Sequence, residues 1–147
     1  MEKRNGPERV EHMVTLLRQW QSLERQSMHD TAAIMEETKN PFIRMIMAII
    51  RHDSLMHHQV QQFLIDSVTE DAISLSREDV AEIWEKIEEH DSMEKKTIEL
   101  AKELRDEAWS PVHKQLLDYL LIDEQKHDGL LMQLEEIKQG MTQVSGG

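Results

Sequence analysis

Apolar residues recur every three or four positions along most of this chain, which is the spacing of side chains that share one face of an α-helix. Glycine and proline fall mainly between these segments. The pattern predicts helices over about residues 7–37, 41–66, 77–107 and 111–139, and a flexible tail over residues 141–147. We therefore expect an all-α protein in which residues 1–140 form a single four-helix bundle.

The connections predict how the helices follow one another. Asn-Pro at 40–41 and Ser-Pro at 110–111 are helix starts, each preceded by only a few connecting residues, so each half should form an antiparallel hairpin. Ser76 resembles the first residue of a capping box. The longer connection over residues 67–75 can serve as a crossover between helices 2 and 3. An up-down-up-down bundle is the competing topology.

One spacing occurs twice along the chain. Glu24 precedes His57 by 33 positions, and Glu94 precedes His127 by 33 positions, 70 residues further on. In each half the predicted turn lies midway between the two residues. All four should then lie about 25 Å from their turns, since a helix rises about 1.5 Å per residue. The repeat predicts carboxylates and imidazoles at one level of the bundle, which is how four helices build a metal site.

Several of these polar residues interrupt apolar stripes. Glu124 and His127 are three positions apart and therefore share a helix face, and apolar residues flank that face in the sequence: Leu120, Leu131 and Leu134. On the third helix Glu94 follows Ile83 on the predicted stripe. His90, four positions before Glu94, is either a further ligand, a hydrogen-bonded core histidine or a donor that orients a ligand.

The first half departs from the pattern of the second. Asp123-Glu124-x-x-His127 in the fourth helix corresponds to Asp53-Ser54-x-x-His57 in the second, so a serine stands where a carboxylate is expected. Asp53 is rotated about 100° from that position and cannot replace it. The two aspartates are better interpreted as groups that orient a neighbouring histidine.

Composition narrows the chemistry. The 147 residues include no cysteine, so any metal must be held by nitrogen and oxygen ligands, which suit Fe, Mn or Zn. A formal net charge of −12 argues against nucleic acid as a partner. The longest apolar run is too short to span a membrane, and no secretory signal pattern is visible, so we expect a cytoplasmic location.

A glutamate followed about 30 residues later by Asp-Glu-x-x-His resembles the ferritin-like superfamily, and specifically its rubrerythrin-type branch. The resemblance implies a di-iron site and a role in iron oxidation or peroxide reduction, with Mn or Zn as alternative metals. It also implies an external electron donor, because the chain has no cysteines for a rubredoxin domain. The implied ligands, with His90 as an addition that could offset Ser54, are Glu24, His57, His90, Glu94, Glu124 and His127.

A second apolar stripe runs beside the core stripe of the second helix: Phe42, Met45, Ile49, Met56 and Phe63. A helix that is apolar on two sides needs a second partner. We therefore expect a homodimer through helices 1 and 2. Two other interpretations stay open: a non-catalytic helical dimer with a degenerate site, and a mononuclear metal site that serves structure.

Overall fold

The computed structural model describes residues 6–145, with side chains described over residues 6–140. It contains four helices: α1 (Gly6–Glu37), α2 (Pro41–Thr69), α3 (Arg77–Glu107) and α4 (Pro111–Ser145). The described residues form no strand, so the predicted all-α class is confirmed. α2 continues past its predicted end at residue 66, and α4 continues into the segment predicted as a tail. Residues 146–147 of that tail lie outside the described part.

The predicted capping residues begin the helices. The Asn40 side chain accepts hydrogen bonds from the backbone N–H groups of Phe42 (3.0 Å) and Ile43 (3.1 Å), and proline occupies the first position of α2. Ser76 and Asp79 exchange side-chain to backbone hydrogen bonds of 3.0 and 3.1 Å at the start of α3. These bonds satisfy N–H groups that have no partner inside the helix.

The chain divides into two compact units, with the boundary between Ser74 and Leu75. In the first unit α1 packs against α2, and in the second α3 packs against α4. Each unit is a hairpin of two antiparallel helices. The single bundle and the crossover predicted from the sequence stay predictions.

The first hairpin buries polar as well as apolar side chains between its helices. Leu17 and Ile65 are buried apolar residues. Gln21 is almost fully buried, and its Nε2 donates to Gln62 Oε1 (3.0 Å) and to the backbone carbonyl of His58 (3.3 Å). These bonds satisfy an amide that would otherwise be costly to bury.

The buried stripe of the second hairpin includes Glu94, as predicted, but at one position on each helix a neighbour of the predicted residue is buried instead. Leu120 is 47% exposed, whereas Leu121 is buried at 6%. Ile83 is likewise half exposed, and the adjacent Trp84 is buried. Adjacent helical residues lie about 100° apart, so local side-chain packing decides which of two neighbours at an edge of the stripe is covered. None of the helices, over the residues described, is both long and apolar enough to cross a membrane.

Candidate metal centre

Both hairpins bring the repeated glutamate and histidine into contact. His57 Nδ1 lies 3.4 Å from Glu24 Oε1 in the first hairpin, and His127 Nδ1 lies 3.6 Å from Glu94 Oε1 in the second. Because each pair is equidistant from its turn in sequence, antiparallel packing places the two side chains at the same height. Both histidines direct Nδ1 at the carboxylate.

The second hairpin adds a third group to its pair. Glu124 Oε2 lies 3.7 Å from His127 Nδ1, and one ligand atom each from Glu94, Glu124 and His127 lie within 4.8 Å of one another. Ligand atoms on a tetrahedral zinc ion are separated by about 3.3–3.6 Å, since zinc bonds to nitrogen and oxygen are about 2.0–2.2 Å long. The two measured separations from His127 are close to that spacing. This cluster can therefore hold a metal ion.

Two carboxyl groups face each other in this cluster. The pKa of Glu94 is lowered, chiefly because the Glu124 carboxyl hydrogen-bonds to it, with His90 and His127 adding to the effect. The pKa of Glu124 is raised, chiefly by that same hydrogen bond and then by burial and the Glu94 charge. Without a cation the two carboxyl groups are best satisfied by one shared proton.

Glu94 is the most enclosed member of the cluster. Glu94 is only 8% exposed, and its Oε2 is buried without a hydrogen-bond donor among the described residues. A buried carboxylate oxygen without a donor destabilises the protein unless a proton or a cation neutralises it. This oxygen is therefore suited either to a proton shared with Glu124 or to a positive ion bound at the site.

Asp123 orients the histidine of the cluster. Its Oδ2 lies 3.4 Å from His127 Nε2, on the opposite side of the ring from the two glutamates. A carboxylate at Nε2 favours the tautomer that carries its proton there, which leaves the Nδ1 lone pair directed at Glu94 and Glu124. The sequence predicted this orienting role for Asp123. The corresponding Asp53 has no such contact with His57 among the described interactions.

His90 is close to the cluster without belonging to it. Its Nε2 lies 2.9 Å from Glu94 Oε1, one helical turn away on α3, and its side chain is 55% exposed. The group of three that offers ligand atoms at metal spacing does not include it. Of the three roles considered for His90, the geometry favours that of a donor to Glu94.

Ser54 has a partner of its own in the first hairpin. It is buried, and its hydroxyl lies 2.8 Å from that of Ser27 on α1, within hydrogen-bonding distance. By the same 70-residue offset Ser54 corresponds to Glu124, and Ser27 corresponds to Thr97, whose hydroxyl donates to the backbone carbonyl of Met93 (3.1 Å). Glu24 and His57 thus lack the third group that completes the cluster in the second hairpin.

A second carboxyl pair lies beside the cluster and was not predicted. The pKa of Asp128 is raised, mainly by its hydrogen bond to Asp91 and then by burial and the Asp91 charge, while the pKa of Asp91 is lowered by the same bond. Asp91 also forms an ion pair of 3.2 Å with Lys95. Asp91 lies three residues before Glu94, and Asp128 four residues after Glu124, so the hairpin register could have identified the pair.

Comparison with known proteins gives no result: no family model, no curated protein and no solved structure matches the chain. What the structure itself defines is an all-helical protein whose second hairpin carries a carboxylate and histidine cluster able to hold a metal ion.

Proposed function

We propose that the chain binds one divalent transition-metal ion in its second hairpin through Glu94, Glu124 and His127. The observation that carries this proposal is the cluster itself, in which three ligand atoms lie within 4.8 Å of one another around a buried glutamate. Two carboxylates and one imidazole suit Fe, Mn or Zn. Binding would neutralise the two facing carboxyl groups.

The more specific part of the proposal is that the metal is iron and that it takes part in redox chemistry. Three protein ligands leave at least one position for water or a small molecule, as catalytic metal sites do. A bound iron would supply one-electron chemistry there, while Glu94 and Glu124 hold it and Asp123 fixes the His127 ring. Together with the resemblance in sequence, this supports a ferritin-like protein that oxidises iron or reduces peroxide with an external electron donor. A two-iron centre that also uses Glu24 and His57 stays a prediction.

A mononuclear structural ion is the second candidate. All three ligands belong to one hairpin, with Glu94 on α3 and both others on α4. An ion held across two helices stabilises their packing, because the ligands are not arranged for binding in the unfolded chain. Such a site would raise the melting temperature on metal addition without consuming O₂ or peroxide.

Titration of the metal-free protein with Zn²⁺ and Fe²⁺ tests metal binding. We expect about one ion per chain and a loss of affinity of at least 10-fold in Glu124→Gln and His127→Gln, since each loses one of three ligands. Glu103→Gln, at an exposed position on α3, is the matched control. Equal affinity in all variants would refute the site. O₂ or peroxide consumption by the Fe²⁺ form separates redox chemistry from a structural ion.

The expected homodimer is also a proposal. On the second stripe of α2, Met45, Met56 and Phe63 each remain at least half exposed. Exposed apolar side chains on one face favour association with another surface. We expect a dimeric mass in solution scattering for the natural chain and a smaller mass for Met56→Glu. A monomeric mass for the natural chain would refute the proposal.

A further inference from the structure

His90 forms a short polar contact with a member of the cluster. Its Nε2 lies 2.9 Å from Glu94 Oε1, whereas Oε1 lies 3.6 Å from His127 Nδ1. The first separation is that of a direct hydrogen bond, and the second is that of two atoms able to share a metal ion. Glu94 Oε1 therefore faces a donor on one side and the cluster on the other.

This hydrogen bond determines which ring nitrogen of His90 is available to bind a metal ion. Glu94 is ionised under ordinary conditions and can only accept, so Nε2 must carry the proton. A protonated ring nitrogen has no lone pair to offer a metal. His90 could bind an ion only after giving up this bond or by turning Nδ1 toward the cluster.

The first hairpin lacks this feature. The residue at the position of His90, 70 residues earlier, is Trp20, which is more than half exposed and makes no contact with Glu24 among the described interactions. The donor to the glutamate thus occurs in the hairpin that holds the three-residue cluster. It is absent from the hairpin in which Ser54 replaces the third ligand.

We infer that His90 is a positioning residue, which donates Nε2–H to Glu94 Oε1 and holds Glu94 as a one-oxygen ligand without binding the ion itself. The inference rests on the proposed metal site. With Oε1 fixed by His90, the Glu94 carboxylate cannot rotate to present both oxygens equally. With Glu94 held to one oxygen, the protein supplies three ligand atoms, and water or a small molecule completes the coordination of the ion.

Imidazole ¹⁵N NMR of the Zn²⁺-loaded full chain is the direct test. A protonated nitrogen, a free nitrogen and a zinc-bound nitrogen have separate chemical shifts. We expect His127 Nδ1 to have the zinc-bound shift and His90 Nε2 to keep a protonated shift with a slowly exchanging proton. A zinc-bound shift at either nitrogen of His90 would overturn the inference and would make His90 a ligand, which is one of the roles that the sequence left open.

Variants separate positioning from a general effect on packing. His90→Leu should lower Zn²⁺ affinity about 10-fold, the lower end of what is lost when a group that supports a ligand is removed. His90→Gln retains an N–H donor and should recover most of that affinity. In the Co²⁺ form, the visible bands should weaken and shift in His90→Leu as Glu94 becomes a two-oxygen ligand, and should return in His90→Gln.

His113→Leu is the matched control, because it removes another exposed histidine from the same hairpin, in the first turn of α4. It should leave affinity and spectrum unchanged. If His90→Gln binds Zn²⁺ as weakly as His90→Leu does, the donor role of His90 is refuted, while the proposal of metal binding stands. If the natural chain itself does not bind Zn²⁺, the proposed function fails and this inference fails with it.

Discussion

Replacing Glu124 with glutamine should stabilise the metal-free protein while it removes metal binding. The carboxyl groups of Glu94 and Glu124 face each other, and the pKa of Glu124 is raised by that contact. At neutral pH the pair either keeps a proton against the bulk pH or carries two repelling charges. An amide at position 124 has the same shape and donates a permanent hydrogen bond to Glu94.

The size of the effect follows from that new bond. A hydrogen bond to a charged group contributes about 1.5–3 kcal/mol when well formed. The Glu124 side chain is 22% exposed, so we reduce this range for solvent screening to about 1–2 kcal/mol. For a chain of this length that corresponds to a rise in melting temperature of roughly 2–8 °C.

The directions of the two pKa shifts determine how the stability of the metal-free chain changes with pH. Glu124 has a raised pKa, so its stabilising proton is present at low pH and is lost as pH rises through that raised value. Glu94 has a lowered pKa, so its contribution is present at higher pH and is lost as pH falls through that lowered value. The metal-free natural chain should therefore be most stable between the two values. The advantage of Glu124→Gln should grow with pH above that window.

Thermal unfolding followed by circular dichroism, with and without Zn²⁺, measures both effects. Zn²⁺ should raise the melting temperature of the natural chain, because it binds the folded state, and should leave Glu124→Gln nearly unchanged. Glu103→Gln controls for the loss of one negative charge. A lower melting temperature for metal-free Glu124→Gln across the pH range would refute the shared-proton account of the carboxyl pair.

Three further predictions follow from the same geometry. Asp128→Asn should stabilise the metal-free chain by about 1 kcal/mol at neutral pH, since the amide donates to Asp91 without a proton from solvent; denaturant unfolding measures this, and destabilisation would contradict it. Ser54→Glu should disrupt the contact with Ser27 and lower the stability of the metal-free chain by about 1–3 kcal/mol. It should also complete a cluster with Glu24 and His57 and so raise the metal content toward two ions per chain. Elemental analysis measures the metal content, and an unchanged count would contradict this prediction. Zn²⁺ affinity should fall as pH decreases through the raised pKa of Glu124, because the ion must displace that proton, and a flat profile by calorimetry would contradict this.

The register of each hairpin could be predicted from the sequence, because only a few sequence signals are needed to define it. Pro41 and Pro111 mark the helix starts after each turn, and a helix has a fixed rise per residue. The contacts of His57 with Glu24 and of His127 with Glu94 follow from equal distances to those turns. Repeated spacing is informative in helical hairpins for this reason.

Finer features could not be predicted from the sequence, for physical reasons. Leu121 is buried in place of Leu120 because local packing decides which of two neighbouring side chains is covered, and periodicity does not resolve this. The role of His90 depended on the rotamer that brings Nε2 to Glu94, and spacing alone allows either ligation or donation. The pairing of Ser54 with Ser27 required atomic positions on two helices.

An anomalous-difference map from a crystal of the Zn²⁺-loaded chain tests the central claim most directly. We expect one strong peak in the second hairpin, about 2.0–2.2 Å from Glu94, Glu124 Oε2 and His127 Nδ1. Asp123 should lie at His127 Nε2, and His90 Nε2 should remain bonded to Glu94 Oε1. No peak at the cluster in crystals that contain zinc elsewhere would contradict the account.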